Sequence, residues 1–324
     1  MFLSEIVFPL IILFLAELFY FKIAAYYNII DKPNHRSSHT KLTIRGGGII
    51  FPVALIVYAV FTKLQYPYFI SGLFFISFIS FVDDIKELSS KIRISIHLMA
   101  VVLMFVQIGL FTFPVYWVIL GLIFVIGVIN AINFMDGING ITGGYGLITL
   151  ATLFYINLNV VTFTTKGLLL ISILSVLVFN FFNFRIKAKC FAGDVGSVSL
   201  AFIIVFFLLQ LIIKTENVNY VLLLLVYGMD TITTIVFRLI RKENIFEAHR
   251  SHFYQFLANE RKLSHLTVSL IYIFFQGIVS LFLLSFFTAS YTKSFLLACS
   301  ATVVFVTIRL VMETPKKLFT VTQG

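Results

Sequence analysis

The stretch from residue 193 to residue 213, GDVGSVSLAFIIVFFLLQLII, decides the fold class. It opens with a Gly-Asp-x-Gly turn, and from Val195 to Ile213 no residue carries a charge. A run of this length matches the roughly 20 apolar residues that a helix needs to cross a bilayer. Because backbone hydrogen bonds in lipid must be satisfied within the segment, we expect a transmembrane helix that begins directly after a polar turn.

The rest of the chain repeats this pattern. Of 324 residues, 60% are hydrophobic and 12% are charged, whereas soluble domains contain about 45–50% apolar and 25% charged residues. Eleven apolar segments cover approximately residues 4–27, 47–62, 67–83, 95–111, 115–132, 144–158, 167–183, 197–213, 218–237, 267–288 and 293–312. We therefore predict an all-α integral membrane protein with a single polytopic domain over residues 1–324. This composition excludes a soluble nucleic-acid-binding domain, a disordered chain and a disulfide scaffold.

The basic residues predict an orientation. Nineteen of the 24 Lys and Arg residues fall in one set of loops, four (Lys63, Lys166, Lys214 and Lys293) fall in the other set, and Lys22 lies in the first segment. The positive-inside rule places the first set in the cytoplasm. Eleven crossings then place the N-terminus outside and the C-terminus inside. The first segment contains Glu5 and Glu17 and has no basic leader, so we do not expect a cleavable signal.

Nearly all the polar chemistry lies in five inner loops, approximately residues 28–46, 83–94, 130–143, 184–197 and 238–266. The first loop ends in Arg45 and the glycines 46–48, which suit either a flexible helix entry or a backbone that presents its N–H groups to an anion. The second contains Asp83 and Asp84 at a helix C-terminus, where the helix dipole disfavours carboxylates. With Lys91 and Arg93 nearby, this pair suits metal or phosphate chemistry, or else ordinary ion pairs in solvent.

The third loop predicts a metal site. If its helix continues, Asn130, Asn133 and Asp136 share one face, and amide oxygens beside a carboxylate suit Mg²⁺. The fourth loop places Asp194 between two glycines, before Ser197, which is a natural helix cap.

The fifth loop contains His249, Arg250 and His252, a cluster suited to phosphate or sugar, or to an amphipathic surface segment. Two acids lie within apolar segments, where an acid is a functional candidate by default. We nevertheless interpret Asp230 and Glu17 as interhelical polar contacts. The two cysteines, Cys190 and Cys299, have no metal-ligand spacing.

Taken in order, five motifs resemble those of the polyprenyl-phosphate N-acetylhexosamine-1-phosphate transferases of glycosyltransferase family 4, relatives of the phospho-N-acetylmuramoyl-pentapeptide transferase. These motifs are Asp31-x-Pro33-x-x-Arg36-x-x-His39, Asp83-Asp84, Asn130-x-x-Asn133-x-x-Asp136-Gly137, Gly193-Asp194-x-Gly196-Ser197 and Arg250-x-His252. The match runs over about residues 28–258, and no single motif would be specific alone.

The resemblance implies transfer of a sugar-1-phosphate from a UDP-N-acetylhexosamine to undecaprenyl phosphate, with release of UMP, at the cytoplasmic face of the bacterial inner membrane. It implies Mg²⁺, with Mn²⁺ as the alternative, held by Asn133 and Asp194. Catalytic roles fall to Asp83, Asp84 and Asp136. Contacts with the substrates fall to Arg36, His39, Arg45, Gly47, Lys91, Arg93, Asn130, Asn139, Arg250, His252 and Tyr254. Membrane lipids are expected partners and nucleic acid is not; a homodimer is left open.

Asp83 is often assigned as the base in this family. A phosphate monoester has a second pKa of about 6, so the lipid phosphate needs little help to lose its proton. We therefore interpret Asp83 as a positioning or metal-ordering residue at least as readily as a base.

Two departures from the family pattern concern the sugar. Ile44 stands where the family usually has Pro before Arg-Gly-Gly. The segment Arg250-Ser-His252-Phe-Tyr254-Gln255 replaces the His-rich run of the N-acetylglucosamine enzymes, and it is similar to O-antigen initiating transferases that use 6-deoxy sugars such as N-acetylfucosamine or N-acetylquinovosamine. The sugar therefore stays open.

The rival class is a transporter for an anionic solute, which would predict free charged groups or broken helices near the middle of the membrane. A CDP-alcohol phosphotransferase would require four closely spaced Asp residues, a motif that this chain lacks.

Overall fold

The computed structural model of the chain describes residues 3–31, 43–244, 250–287 and 290–320. Two predicted substrate contacts, Arg36 and His39, lie outside these ranges, as does His249. Within them the chain forms α1 (Phe8–Tyr26), α2 (Ile50–Phe61), α3 (Pro67–Ile85), α4 (Ser90–Gln107), α5 (Val115–Met135), α6 (Ile141–Asn159), α7 (Lys166–Asn183), α8 (Gly193–Thr215), α9 (Leu225–Ile240), α10 (Phe253–Asn259), α11 (His265–Phe282), α12 (Tyr291–Glu313) and α13 (Pro315–Phe319).

Short helical turns extend several of these helices. They are π-helical at Leu3–Val7 and Leu283–Phe287, and 3₁₀-helical at Gly47–Ile49, Leu110–Thr112 and Val218–Leu224. Counted over the described residues, ten helices are long and apolar enough to cross a membrane. The predicted all-α integral membrane fold is confirmed.

The remaining predicted segment, residues 47–62, corresponds to the short helix α2, which is not among these ten. With its preceding turn it covers residues 47–61, which is about 22 Å at a rise of 1.5 Å per residue. One end meets the start of α8, since a Cβ on Gly48 would lie 2.2 Å from the Gly196 Cα. The other end reaches the start of α7, because the Tyr58 hydroxyl would lie 2.0 Å from a Cβ on Gly167. α2 therefore runs from one end of the bundle to the other.

α8 forms the centre of the bundle. It is apolar on every side, and 83% of its most apolar stretch is buried, as expected of a helix without a polar face. Phe206 stacks on Phe69 of α3 with ring centroids 3.7 Å apart. By contrast, only 6% of the corresponding stretch of α12 is buried, so α12 lies at the periphery of the bundle.

Two short strands fasten the first inner loop to the fourth. β1 (Ile30–Asp31) pairs antiparallel with β2 (Thr43–Ile44), and Ile44 also forms a parallel bridge with Cys190. Since Cys190 lies just before α8, this pairing holds the first loop against the α8 N-terminus.

Candidate active site

Asp84 connects three of the predicted inner loops. It lies in the last turn of α3, and its carboxylate accepts hydrogen bonds from Arg45 Nε at 2.7 Å and from the backbone N–H groups of Asp194 and Val195, both at 2.9 Å. Its side chain has no exposed surface. The dipole of α3 disfavours the Asp84 carboxylate at its C-terminus, but the N-terminus of α8 stabilises it. Its predicted catalytic role stays a prediction, and its contacts are those of an organising residue.

Asp194 is the most accessible carboxylate of this group. Its side chain is 26% exposed, against 7% for Asp83 and none for Asp84. Its oxygens lie 3.8 Å from Arg45 Nη2 and 3.9 Å from Arg93 Nη1. These distances are longer than hydrogen bonds. Asp194 therefore faces two cations without being tightly engaged by either.

Asp83 holds Arg93 in place. Its Oδ2 accepts from Arg93 Nη1 at 2.8 Å, and its Oδ1 accepts from the Leu88 backbone N–H at 2.7 Å. The five residues Arg45, Asp83, Asp84, Arg93 and Asp194 form what we call the arginine–aspartate cluster. Partial burial acts to lower the pKa of Arg45, but Asp84 and Asp194 outweigh it and raise the pKa above its ordinary value. Arg45 therefore stays a cation.

The glycines of the first and fourth loops allow their backbones to touch. A Cβ on Gly193, which has φ +71°, would lie 2.5 Å from Asp84 Oδ2 and 2.9 Å from the Gly46 Cα. The N–H groups of Gly47 and Gly48 donate to the carbonyls of Phe191 and Ala192, at 2.8 and 3.1 Å. The fourth loop therefore occupies the Gly47 N–H in this structure, and the predicted substrate contact of Gly47 stays a prediction.

The third loop differs from its predicted helical face. α5 ends at Met135, and Asp136 follows with φ −84° and ψ 60°, so Asp136 does not continue the helical row of Asn130 and Asn133. Asn130 is exposed, and its amide donates to the carbonyl of Ile126 at 2.9 Å.

Asp136 is half-buried. Burial raises its pKa to about 7; the charge of Asp84 adds to this effect and Arg45 opposes it. Asp136 therefore lies within electrostatic reach of the arginine–aspartate cluster.

Asn139 has a structural role, and its predicted substrate contact stays a prediction. It is buried, and its amide donates to the carbonyls of Arg185 and Ile186 at 2.8 and 3.2 Å. Sequence reasoning missed Asn183, which accepts from the Gly140 N–H at 2.7 Å and donates to the Cys190 carbonyl at 2.8 Å. The only feature of the sequence that could have pointed to Asn183 is its position at the polar end of the apolar segment that forms α7. Together these two residues connect the third loop to the fourth.

The fifth loop is organised by Asp230. This fully buried residue of α9 accepts from the backbone N–H groups of Phe253 and Tyr254 at 2.9 and 3.2 Å, and from the Tyr272 hydroxyl at 2.6 Å. His252 Nδ1 lies 3.3 Å away. The interpretation of Asp230 as an interhelical contact is confirmed, and the free mid-membrane acid expected of a transporter is not found at this residue.

Tyr254 lies beneath the third loop rather than in an open site. It has no exposed surface, its hydroxyl donates to the Phe134 carbonyl at 2.9 Å, and it fills the space beside Gly137. In this structure Tyr254 supports the third loop, and its expected substrate contact stays a prediction. His252 is likewise buried, with 2% of its surface exposed, whereas Lys91 and Arg250 are exposed at the same end of the bundle.

The residues present fit a cation that takes most of its ligands from a substrate. Within the described ranges, no group of three or more His, Cys, Asp and Glu side chains could hold a metal. Mg²⁺ commonly uses one or two protein oxygens together with substrate phosphates. Asp194 provides one accessible carboxylate, and the half-buried Asn133 provides an amide.

Comparison with known proteins places the chain in a class. The model of the family described as "Glycosyl transferase family 4" matches residues 66–212, a range that includes Asp83, Asp84, Asp136 and Asp194. The chain is similar to this family over that range, and the resemblance stated above is confirmed. A curated relative, the "Probable undecaprenyl-phosphate N-acetylglucosaminyl 1-phosphate transferase" of Bacillus subtilis (strain 168), is 28% identical over 273 residues, which cover 78% of this chain and 76% of the relative.

Proposed function

We propose that this protein transfers an N-acetylhexosamine-1-phosphate from a UDP-sugar to undecaprenyl phosphate, giving undecaprenyl-diphospho-sugar and UMP. The observation that supports this most directly is Asp194, an accessible carboxylate between the guanidinium groups of Arg45 and Arg93 at the end of a membrane helix bundle. The printed name of the Bacillus subtilis relative describes the same class of transfer.

In the proposed reaction, an oxygen of the lipid phosphate attacks the sugar-linked phosphorus of the nucleotide sugar. A new P–O bond forms, the bond to the bridging oxygen breaks, and UMP leaves with the bonding electrons. Both substrates are anionic, so catalysis consists chiefly of positioning and charge neutralisation. Arg45 and Arg93 are 35% and 39% exposed, so each can turn donors toward a diphosphate while Asp84 and Asp83 hold the other side of its guanidinium group.

Asp194 and Asn133 would hold the metal ion, which would neutralise diphosphate oxygens during the transfer. Asp83 keeps Arg93 in place through its hydrogen bond, a positioning role rather than that of a base. This agrees with a lipid phosphate whose second pKa is about 6 and which is therefore largely ionised at neutral pH.

We place the site at the cytoplasmic face, where a soluble nucleotide sugar meets a lipid head group. The transfer would initiate a cell-envelope glycan such as an O-antigen. The sugar is either N-acetylglucosamine, as in the relative's name, or a 6-deoxy-N-acetylhexosamine, as the Arg250–Gln255 segment indicates.

The test uses the purified chain with Mg²⁺, undecaprenyl phosphate and a panel of UDP-sugars, with UMP release as the readout. Asp194→Asn should lower turnover roughly 1,000-fold, because several kcal/mol of charge stabilisation are lost. The matched control is Glu87→Gln, which removes a negative charge from an exposed side chain at the same end of the bundle and should keep the wild-type rate. A near-normal rate in Asp194→Asn would remove this residue from the site, and absence of UMP with every sugar would refute the proposed reaction.

A further inference from the structure

The last membrane helix carries an ion pair that its position does not explain. Only Ser294, Arg309 and Glu313 are buried along α12, although this helix lies at the periphery. Arg309 is 1% exposed and is one of the largest fully buried side chains among the described residues. A buried charge is costly unless it is paired and hydrogen-bonded. We therefore expect the buried charge of Arg309 to make contacts with other elements of the protein.

The contacts of Arg309 lead to the fifth loop. Its Nη2 donates to the Ser251 carbonyl at 2.9 Å, and its Nη1 donates to the hydroxyls of Thr233 and Thr234 at 3.0 and 2.9 Å. Glu313 accepts from Nε at 2.6 Å. One guanidinium group therefore connects α12, α9 and the residue that precedes His252.

Other contacts join the same elements. Arg261 donates to the Met312 carbonyl at 2.6 Å, Arg241 donates to the Leu318 carbonyl at 3.3 Å, and Lys317 pairs with Glu260. We call Arg309 and Glu313, together with these contacts of residues 312–318, the C-terminal clamp. The clamp holds both ends of α10.

α10 in turn supports the candidate active site. Its first N–H groups rest on Asp230, and Arg309 Nη1 lies 3.9 Å from that same carboxylate. Tyr254, at the second position of α10, donates to the Phe134 carbonyl immediately before Met135 and Asp136. A displacement of α10 would therefore move the support beneath Asp136.

We propose that Arg309 is a positioning residue for the nucleotide sugar: through Ser251 and α10 it fixes the fifth loop against the third. This inference rests on the proposed function for its kinetic test and on the described contacts for its structural test. The clamp contacts Ser251 within the Arg250–Gln255 segment, which we have linked to the choice of sugar. It should therefore affect the binding of the UDP-sugar more than that of the lipid phosphate.

The main variant is the double substitution Arg309→Met/Glu313→Met. Removing both charges together leaves no unpaired buried ion, and such replacements are often tolerated. We expect the KM for the UDP-sugar to rise about tenfold and the KM for undecaprenyl phosphate to stay within about twofold, because a distant displacement of about 1 Å is enough to disturb substrate positioning. The matched control is Lys293→Met, which removes an exposed charge at the other end of α12 and should change neither constant.

Hydrogen exchange provides a measurement that does not depend on activity. The backbone amides of Phe253 and Tyr254 should exchange at least about tenfold faster in the double variant, because their hydrogen bonds to Asp230 open more often, while α3 and α8 keep wild-type protection. Should the double variant not fold, Arg309→Lys replaces it, since it retains the charge but lacks the planar fork that reaches three partners at once.

Unchanged exchange at residues 253–254 would overturn the inference, as would equal rises in both KM values or a rise confined to the lipid phosphate. If the wild-type protein releases no UMP from any UDP-sugar, the proposed function fails while the exchange result still decides whether the clamp positions α10.

Discussion

Neighbouring aspartates in this chain have different environments. Both carboxylate oxygens of Asp84 accept hydrogen bonds, from Arg45 and from the α8 N-terminus, and the side chain is fully buried. Asp194 lies more than 3.5 Å from Arg45 and from Arg93, and it is partly exposed. A buried group with several protein hydrogen bonds stabilises the fold, whereas a partly exposed group held 3.8 to 3.9 Å from two cations can serve a ligand. Asp84→Asn and Asp194→Asn are the same chemical change, but the first should mainly lower stability and the second should mainly lower activity.

We predict that Asp84→Asn lowers the free energy of unfolding by about 2 kcal/mol, since it weakens a helix cap and leaves a charged partner unmatched. Asp194→Asn should cost less than about 0.5 kcal/mol, because longer, partly exposed ion pairs contribute little. Thermal unfolding in detergent, measured alongside UMP release, separates the two effects. Equal destabilisation by both substitutions would contradict these different roles.

Cys190 reports on the packing beneath the site. It is fully buried, its thiol donates to Glu17 Oε1 at 3.8 Å, and its Sγ would lie 2.5 Å from a Cβ on Gly47. Burial, together with the nearby Glu17, raises the pKa of the Cys190 thiol well above its ordinary value. The sequence indicates an interhelical polar contact for Glu17; its described partner is Cys190, which lies in the fourth loop and not in a helix.

Because the thiolate is the reactive form, Cys190 should resist N-ethylmaleimide at pH 8 in the folded protein. In a Cys299→Ser background Cys190 is the sole cysteine, since the chain has two, so mass spectrometry can count the adduct directly. We expect no adduct before denaturation and one adduct after it. Labelling of the folded protein within minutes would show that the first and fourth loops separate readily.

Among the structural elements, the junction of the first and fourth loops depends on glycine. A Cβ on Gly48 would lie 2.2 Å from the Gly196 Cα, and a Cβ on Gly196 would lie 2.7 Å from the Gly48 Cα. These contacts involve backbone atoms, which cannot move aside as a flexible side chain can. The 3₁₀ turn before α2 and the first turn of α8 therefore approach more closely than any other residue would allow.

Gly48→Ala should destabilise the protein by about 3 kcal/mol or more, because overpacking a rigid contact forces the backbone apart. Gly127→Ala is the matched control: this α5 position has no atom within 4 Å of the added Cβ, and alanine should add about 0.5–1 kcal/mol to the helix. The measurement is the thermal unfolding midpoint of each variant in the same detergent. A neutral Gly48→Ala would contradict the described junction.

Hydropathy predicted the helices well because each membrane crossing requires a long apolar run, and this requirement does not depend on which helices pack beside it. It also placed Asp83, Asp84 and Asp194 in loops that the fold brings together. It did not reveal that Gly47, Asn139 and Tyr254 are already engaged by carbonyls or packing, since burial and pairing depend on distant segments. Arg309 is one of the nineteen basic residues that the sequence assigns to the topology. Its partners other than Glu313 lie 58 to 76 residues away in sequence, so its role could not be predicted.

At the scale of the whole molecule, the direction of α2 determines the relation between the termini. Ten long helices are apolar enough to cross a membrane over the described residues. We predict that α2 crosses as well, and eleven crossings would put the two ends of the chain on opposite sides. The loops that contain the arginine–aspartate cluster and the fifth motif lie at one end of the bundle, and they belong to the set of loops to which the sequence assigns nineteen of the 24 Lys and Arg residues. The positive-inside rule predicts that this end faces the cytoplasm.

Cysteine labelling in whole cells tests this orientation, with Cys299→Ser as the background so that the buried Cys190 is the sole native thiol. Asn159→Cys lies at the exposed last residue of α6, at the end away from the site, and Lys187→Cys lies in the exposed loop between α7 and α8. We expect a membrane-impermeant maleimide to label position 159 in intact cells and position 187 only after the membrane is opened. The reverse pattern would put the arginine–aspartate cluster outside, away from the cytoplasmic nucleotide sugars, and the proposed transfer would then lose its donor.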